Sequence, residues 1–171
     1  MTDTNERIGI LMGSNSDWPV MQEAVNVCNR FGVDCDVRVI SAHRTPEAAT
    51  EYARTARDRG IRVLIAGAGA AAHLAGALAA QTTLPVIGIP ISGSGSLGGL
   101  DALLATVQMP SGVPVATVGT DKAGNAALLA IQILAIADES LSDKLVKHKQ
   151  GLVERVTNAD SALRSSLRGG S

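Results

Sequence analysis

Five short apolar runs mark the chain between residues 7 and 118: Arg7–Met12, Cys35–Ile40, Val63–Ala66, Pro85–Ile91 and Val113–Val118. The first shows no polar alternation, as expected of a parallel strand covered on both faces. Between the runs, apolar residues recur at helical spacing. Val20, Ala24, Val27, Cys28 and Phe31 form one such face, with Asp17 placed to cap the helix, Pro19 just inside it and Gly32 to end it. A second helix is predicted from Glu47 to Arg59, capped by Thr45, opened by Pro46 and stopped by Gly60. An Ala-rich helix begins near His73, another spans Leu100–Gln108, and a fifth spans Lys122–Ala137.

Strands alternating with helices predict an α/β fold: a flavodoxin-like, doubly wound parallel sheet in three α/β/α layers, with strand order 2-1-3-4-5. The pattern assigns residues 1–137 to this domain and 138–171 to a C-terminal helical arm. In that arm Leu141, Leu145, His148, Leu152, Val156, Ala159, Leu163 and Leu167 make one stripe among charged residues, with an 11-residue repeat near the period of a straight helix. The stripe suits a helix folded back on its own domain or an arm packed on a neighbouring subunit. The helices near 73–80 and 122–137 have almost no polar face, and a helix that is apolar all round must be covered all round. A homo-oligomer whose contacts include these helices is therefore expected.

Charge adds exclusions. Lys and Arg number 15 against 16 Asp and Glu, which gives no bulk attraction to nucleic acid or to an anionic membrane. Trp18, Phe31 and Tyr52 are the whole aromatic complement, too few for a base-stacking platform. No Asp, Glu, Lys or Arg occurs from Val63 to Leu100, but Gly67, Gly69, His73, Gln81, Pro85 and Pro90 break that run into strand, helix and strand. It reads as deeply buried protein, not a membrane span. The polar start, residues 1–7, does not look like a signal peptide. Cys28 and Cys35 have neither CxxC nor metal-ligand spacing, so they suit a reduced, cytoplasmic protein.

The candidate chemistry lies in loops at predicted strand carboxyl ends, where open α/β sheets bind ligands. In Ser41-Ala42-His43-Arg44-Thr45-Pro46 a titratable imidazole and a fixed positive charge meet where a strand becomes a helix. Imidazole is the side chain that changes charge near neutrality, and a guanidinium can grip a phosphate through parallel N–H···O bonds. Loop 13–17 offers the Ser14 and Ser16 hydroxyls and Asp17, an acceptor for sugar hydroxyls; alone it also reads as a simple capped turn. Gly67-Ala68-Gly69 is not a dinucleotide fingerprint, since no acidic residue lies about 20 positions on. It reads as a backbone-lined wall for a planar ligand. The sequence context makes His73 a structural histidine and His148 a packing residue. No carboxylate pair, Ser/His/Asp set or metal cluster presents itself, which argues against hydrolases and metalloenzymes. The segment 92–99, Ser-Gly-Ser-Gly-Ser-Leu-Gly-Gly, has the composition of a lid.

Together Met12-Gly13-Ser14-Asn15-Ser16-Asp17-Trp18, Ser41-Ala42-His43-Arg44-Thr45-Pro46, Gly67-Ala68-Gly69-Ala70-Ala71-Ala72-His73-Leu74 and Val107-Gln108-Met109-Pro110 closely resemble the PurE family over residues 7–137. Its bacterial members are N5-carboxyaminoimidazole ribonucleotide mutases of purine biosynthesis. The resemblance implies a ribonucleotide substrate, no metal or organic cofactor, and an octamer with sites at subunit junctions. It implies that His43 is the general acid/base. It places Ser14, Asp17 and Arg44 at substrate-binding positions, with Ser16 and Ser41 beside them. Gly69, Ala70 and His73 fall around the base pocket. Arg44-Thr45-Pro46 is similar to the mutase form, whereas related carboxylases that use carbon dioxide directly tend to have Lys-Gly-Pro. Two departures stand out, Ala70 where the family usually has Gly and Ala75 where it usually has Pro. The alternatives are a carboxylase of the same fold and a non-catalytic nucleotide sensor; the latter has no need of His43.

Overall fold

The computed structural model describes residues 7–93 and 96–168. The chain divides into two compact units, one ending at Ile133 and the other beginning at Leu134.

The first unit is built on five parallel strands: β1 (Ile8–Met12), β2 (Cys35–Val39), β3 (Val63–Gly69), β4 (Val86–Ile91) and β5 (Ala116–Thr117), in the order β2-β1-β3-β4-β5. This is the expected flavodoxin-like order. The helices are α1 (Trp18–Phe31), α2 (Pro46–Thr55), α3 (Leu74–Ala79), α4 (Leu100–Val107) and α5 (Ala123–Ala135), whose last turn crosses into the second unit.

Side chains alternate across a strand, so the sheet has two apolar faces to cover. Leu11, Leu64, Ala66 and Val86 pack with Tyr52 and Ala53 of α2 and with Leu74, Ala75 and Leu78 of α3. On the other face Gly67 leaves room for α1, since a Cβ there would collide with Met21 Sδ. A Cβ on Gly124 of α5 would touch Glu23 and Val27 of α1, so α1 and α5 lie side by side. Helices thus cover both faces, and β1 and β4 are buried along their whole length.

Several boundaries differ from the sequence pattern. β5 shrinks from the predicted 113–118 to Ala116–Thr117, because an edge strand pairs on one side only. β3 runs three residues further, to Gly69. α2 ends at Thr55, and the chain turns before Gly60, whose φ is 88°. Neither Asp17 nor Thr45 gives the side-chain cap expected of it, although each occupies the N-cap position. α3 and α5 were expected to be covered all round. Within this single chain Ala77 is exposed and Leu128, Leu129 and Ile133 are only half-buried.

The second unit is dominated by α6 (Glu139–Arg168), a helix of 30 residues whose start is capped by Asp138, with the Leu141 N–H donating to its Oδ1 at 3.1 Å. Leu141 is buried, while Val156, Leu163 and Leu167 of the predicted stripe are 70, 60 and 71 % exposed. Among the described residues no helix is long and apolar enough to cross a membrane.

Strand register decides where the site can form. Met12, Val39, Gly67 and Ile89 lie in one row across the sheet. The chain therefore leaves all four strands at the same edge, and four loops meet there.

Candidate active site

These four loops surround a cavity of about 470 Å³, a size suited to one small ligand. β2 contributes Ser41, Ala42, His43 and Arg44; β1 contributes Gly13, Ser14, Ser16 and Asp17; β3 contributes Ala68, Gly69, Ala70 and Ala71; β4 contributes Ile91, Ser92, Gly93 and Ser96.

Loop 13–17 is a tight 3-10 turn closed on itself. Ser14 Oγ accepts the Ser16 N–H at 3.2 Å, and the Ser14 N–H donates to Asp17 Oδ2 at 3.1 Å. Asp17 therefore turns its carboxylate back into the loop instead of capping α1. Burial pushes the Asp17 carboxyl above its ordinary value of 3.8, against the opposing pull of the Ser14 N–H, Arg44 and Ser16.

Loop 41–45 is tied to it. Thr45 Oγ1 donates to Ser41 O and accepts the Ser41 N–H, both at 3.0 Å, which explains its failure to cap α2. Arg44 Nη2 donates to Gly13 O at 2.8 Å, and Arg44 Nε donates to Ser41 Oγ at 3.3 Å. The guanidinium thus bridges the first two loops through Nε and Nη2, and its Nη1 can donate to an anion.

His43 stands on the cavity wall. Its Nε2 is 2.8 Å from Nδ1 of His73, and the rings meet edge to face at 85°. Such a contact needs one donor and one acceptor, so it breaks when both rings are protonated. His73 itself does not line the cavity. Every other predicted site residue — Ser14, Ser16, Asp17, Ser41, His43, Arg44, Gly69 and Ala70 — lies on its wall.

Sequence reasoning missed Ser92, Gly93 and Ser96 as wall residues, reading them only as lid. Their place after β4 was the available signal, because β4 adjoins β3 in the sheet. The central part of that lid, residues 94 and 95, lies outside the described residues. Ala70 has φ 50°, a left-handed conformation that a side chain makes unfavourable. Ala75 is buried in the first turn of α3, where its Cβ would lie 3.3 Å from a Cβ on Gly88.

Comparison with known proteins adds to this geometry. The sequence model of the family described as AIR carboxylase matches residues 7–155. The chain belongs to that family. Its relatives include the N5-carboxyaminoimidazole ribonucleotide mutase of Pyrococcus abyssi, 60 % identical over 85 % of this chain and 83 % of the relative. The mutase of Mycobacterium tuberculosis is 52 % identical over 95 % of this chain and 94 % of its own. That of Bacillus subtilis is 52 % identical over 91 and 97 %. Among solved structures, Treponema denticola PurE superposes with a TM-score of 0.80 at 28 % identity, covering 91 % of this chain and 97 % of that one. The PurE resemblance of the four sequence motifs is thereby borne out at the level of the family.

Proposed function

We propose that this protein is an N5-carboxyaminoimidazole ribonucleotide mutase, an isomerase that moves a carboxyl group from the exocyclic nitrogen to ring carbon 4. One observation carries the mechanism. Among the described side chains on the cavity wall only Asp17, His43 and Arg44 ionise. Arg44 does not give up its proton, and Asp17 is held by the Ser14 N–H. His43 is left as the proton carrier.

The chemistry needs only one. His43 gives a proton to the exocyclic nitrogen as its bond to the carboxyl carbon breaks, releasing carbon dioxide and an amine. The amine enriches ring carbon 4, which attacks the carbon dioxide and forms the new carbon–carbon bond. That carbon now bears a surplus proton, and His43 takes it back as aromaticity returns. The residue ends as it began. Arg44 and the Ser14–Asp17 turn hold phosphate and ribose, so that the ring stays in place between the two steps. The small residues from Ala68 to Ala71 make the wall beside which the gas waits. His73, bonded to His43, orients that ring.

Two further points belong to this reading. Leu97, Leu100, Leu104 and Val107 are 77, 55, 46 and 50 % exposed, and the last three lie on one face of α4. They support a homo-oligomer, the octamer that the family resemblance implies, with the α6 stripe available as an arm. Cys28 and Cys35 carry reduced thiols, which suits a cytoplasmic protein.

The test is direct. Purified protein given the carbamate alone should form the carbon-carboxylated product with no nucleotide triphosphate, metal or bicarbonate added. Failure to turn over would contradict the reading. Activity that requires bicarbonate and the uncarboxylated ribonucleotide would favour the carboxylase.

A further inference from the structure

Two described residues other than glycine hold a positive φ: Ala70 at 50° and Asp121 at 59°. Both bear on the same cavity. Ala70 lines it, whereas Asp121 lies outside it, beyond β5, and reaches it through Ser92. Asp121 Oδ1 accepts the Ser92 N–H at 2.9 Å, and Oδ2 accepts the Ser92 hydroxyl. The Asp121 N–H donates to Pro90 O, also at 2.9 Å. One residue thus fixes the backbone on both sides of Ile91, where β4 ends.

The far end of the segment returns to the same corner. Gly99, with φ 86°, packs so closely that a Cβ there would lie 2.5 Å from Thr120 Cγ2 and 3.4 Å from Ser92 Cβ. Within the segment, Ser96 Oγ accepts the N–H of Gly93 and of Gly99, each at 3.2 Å. Ser92, Gly93 and Ser96 face the cavity, and β4 lies next to β3 in the sheet. The wall they form therefore adjoins Ala68–Ala71.

We propose that Asp121 is a positioning residue: through Ser92 it fixes the β4 side of the cavity, which keeps carbon dioxide beside the ring between bond breaking and bond making. This rests on the mutase reading. Glycine would adopt the left-handed backbone of Asp121 without steric cost. A carboxylate there, accepting both donors of one cavity residue, points to the side chain as the reason for the strain.

The reactions of the parent enzyme, Asp121→Gly, Asp121→Asn and Ser92→Ala with the carbamate separate this role from a structural one. When the wall loosens, the nitrogen–carbon bond still breaks and the nitrogen is still protonated. Carbon dioxide then leaves before carbon 4 captures it, so the uncarboxylated ribonucleotide accumulates. Asp121→Gly is expected to keep or raise the unfolding midpoint, to lower kcat/KM about tenfold, and to raise the share of that by-product severalfold. Asp121→Asn keeps an acceptor for the Ser92 N–H and should fall between parent and Gly variant. Ser92→Ala should raise the by-product too, and combining it with Asp121→Gly should add little further. Asn and Ala variants carry the test if the Gly variant does not fold. A by-product share equal to the parent's in all variants, whatever their midpoints, would overturn the proposal. A parent that converts no carbamate would instead overturn the mutase reading on which it stands.

Discussion

The two halves of the cavity are held in different ways. The half formed by loops 13–17 and 41–45 is cross-linked by polar bonds: Arg44 to Gly13, Ser14 to Asp17, and Thr45 to Ser41. The half formed by β3 and β4 has its side-chain bonds on the β4 side, at Ser92 and Ser96. It relies on small residues, a left-handed Ala70 and the remote anchor of Ser92 on Asp121. A phosphate and a ribose need fixed charges and donors, which cost little to satisfy in a wet site. On the mutase reading carbon dioxide offers no charge to hold, so its side of the cavity would work by shape and by excluding water. The difference between the halves then follows from what each would hold.

The largest effect should come from the residue between them. His43→Asn keeps a similar shape but cannot exchange a proton. Turnover should fall by roughly a hundredfold or more, while ribonucleotide affinity survives on the polar half. Steady-state kinetics with calorimetry checks both, and near-normal turnover would remove His43 from its role. Next, Arg44→Ala strikes the polar half alone. Loss of a charge-assisted contact should cost about 1.5–3 kcal/mol of ribonucleotide binding. Unchanged affinity would put the phosphate elsewhere.

A smaller effect tests the apolar half. Ala70→Gly relieves a left-handed backbone, so the fold should gain about 0.4–1 kcal/mol in urea denaturation. A loss of stability would mean that the methyl packs well enough to offset its strain.

The smallest concerns Asp17. Its folded carboxyl titrates above the ordinary 3.8, so the folded state holds that proton longer than the unfolded chain does. Stability from this group is therefore present at low pH, declines as pH rises from 3.8 through the raised value, and is flat beyond it. Asp17→Asn lacks this decline. The parent should lose ground to the variant over that window, and a constant difference across it would contradict the burial assigned to Asp17.

The polar half was largely legible in the sequence, because its residues are neighbours along the chain. Ser14 to Asp17 and Ser41 to Thr45 are runs of chemistry-bearing side chains just after apolar strands. The strand order followed from short crossovers, and a shared carboxyl edge brought the loops together as expected. What escaped depends on contacts between distant residues. His43 meets His73 across 30 positions, and Ser92 meets Asp121 across 29. Asp121 lies just before the predicted helix Lys122–Ala137 and drew no role, since local pattern does not show a left-handed backbone. Asp17 and Thr45 looked like caps. Spacing cannot reveal that a nearer polar partner, Ser14 for one and Ser41 for the other, takes the side chain first.

The central claim is that the carboxyl group leaves nitrogen and reaches carbon 4 without leaving the cavity. Turnover of the carbamate in buffer containing isotopically labelled bicarbonate, with the label in the product followed by mass spectrometry, tests it most directly. The account predicts a product that keeps its original carbon, with label entering far more slowly than turnover. Label entering the product at the rate of turnover would contradict it.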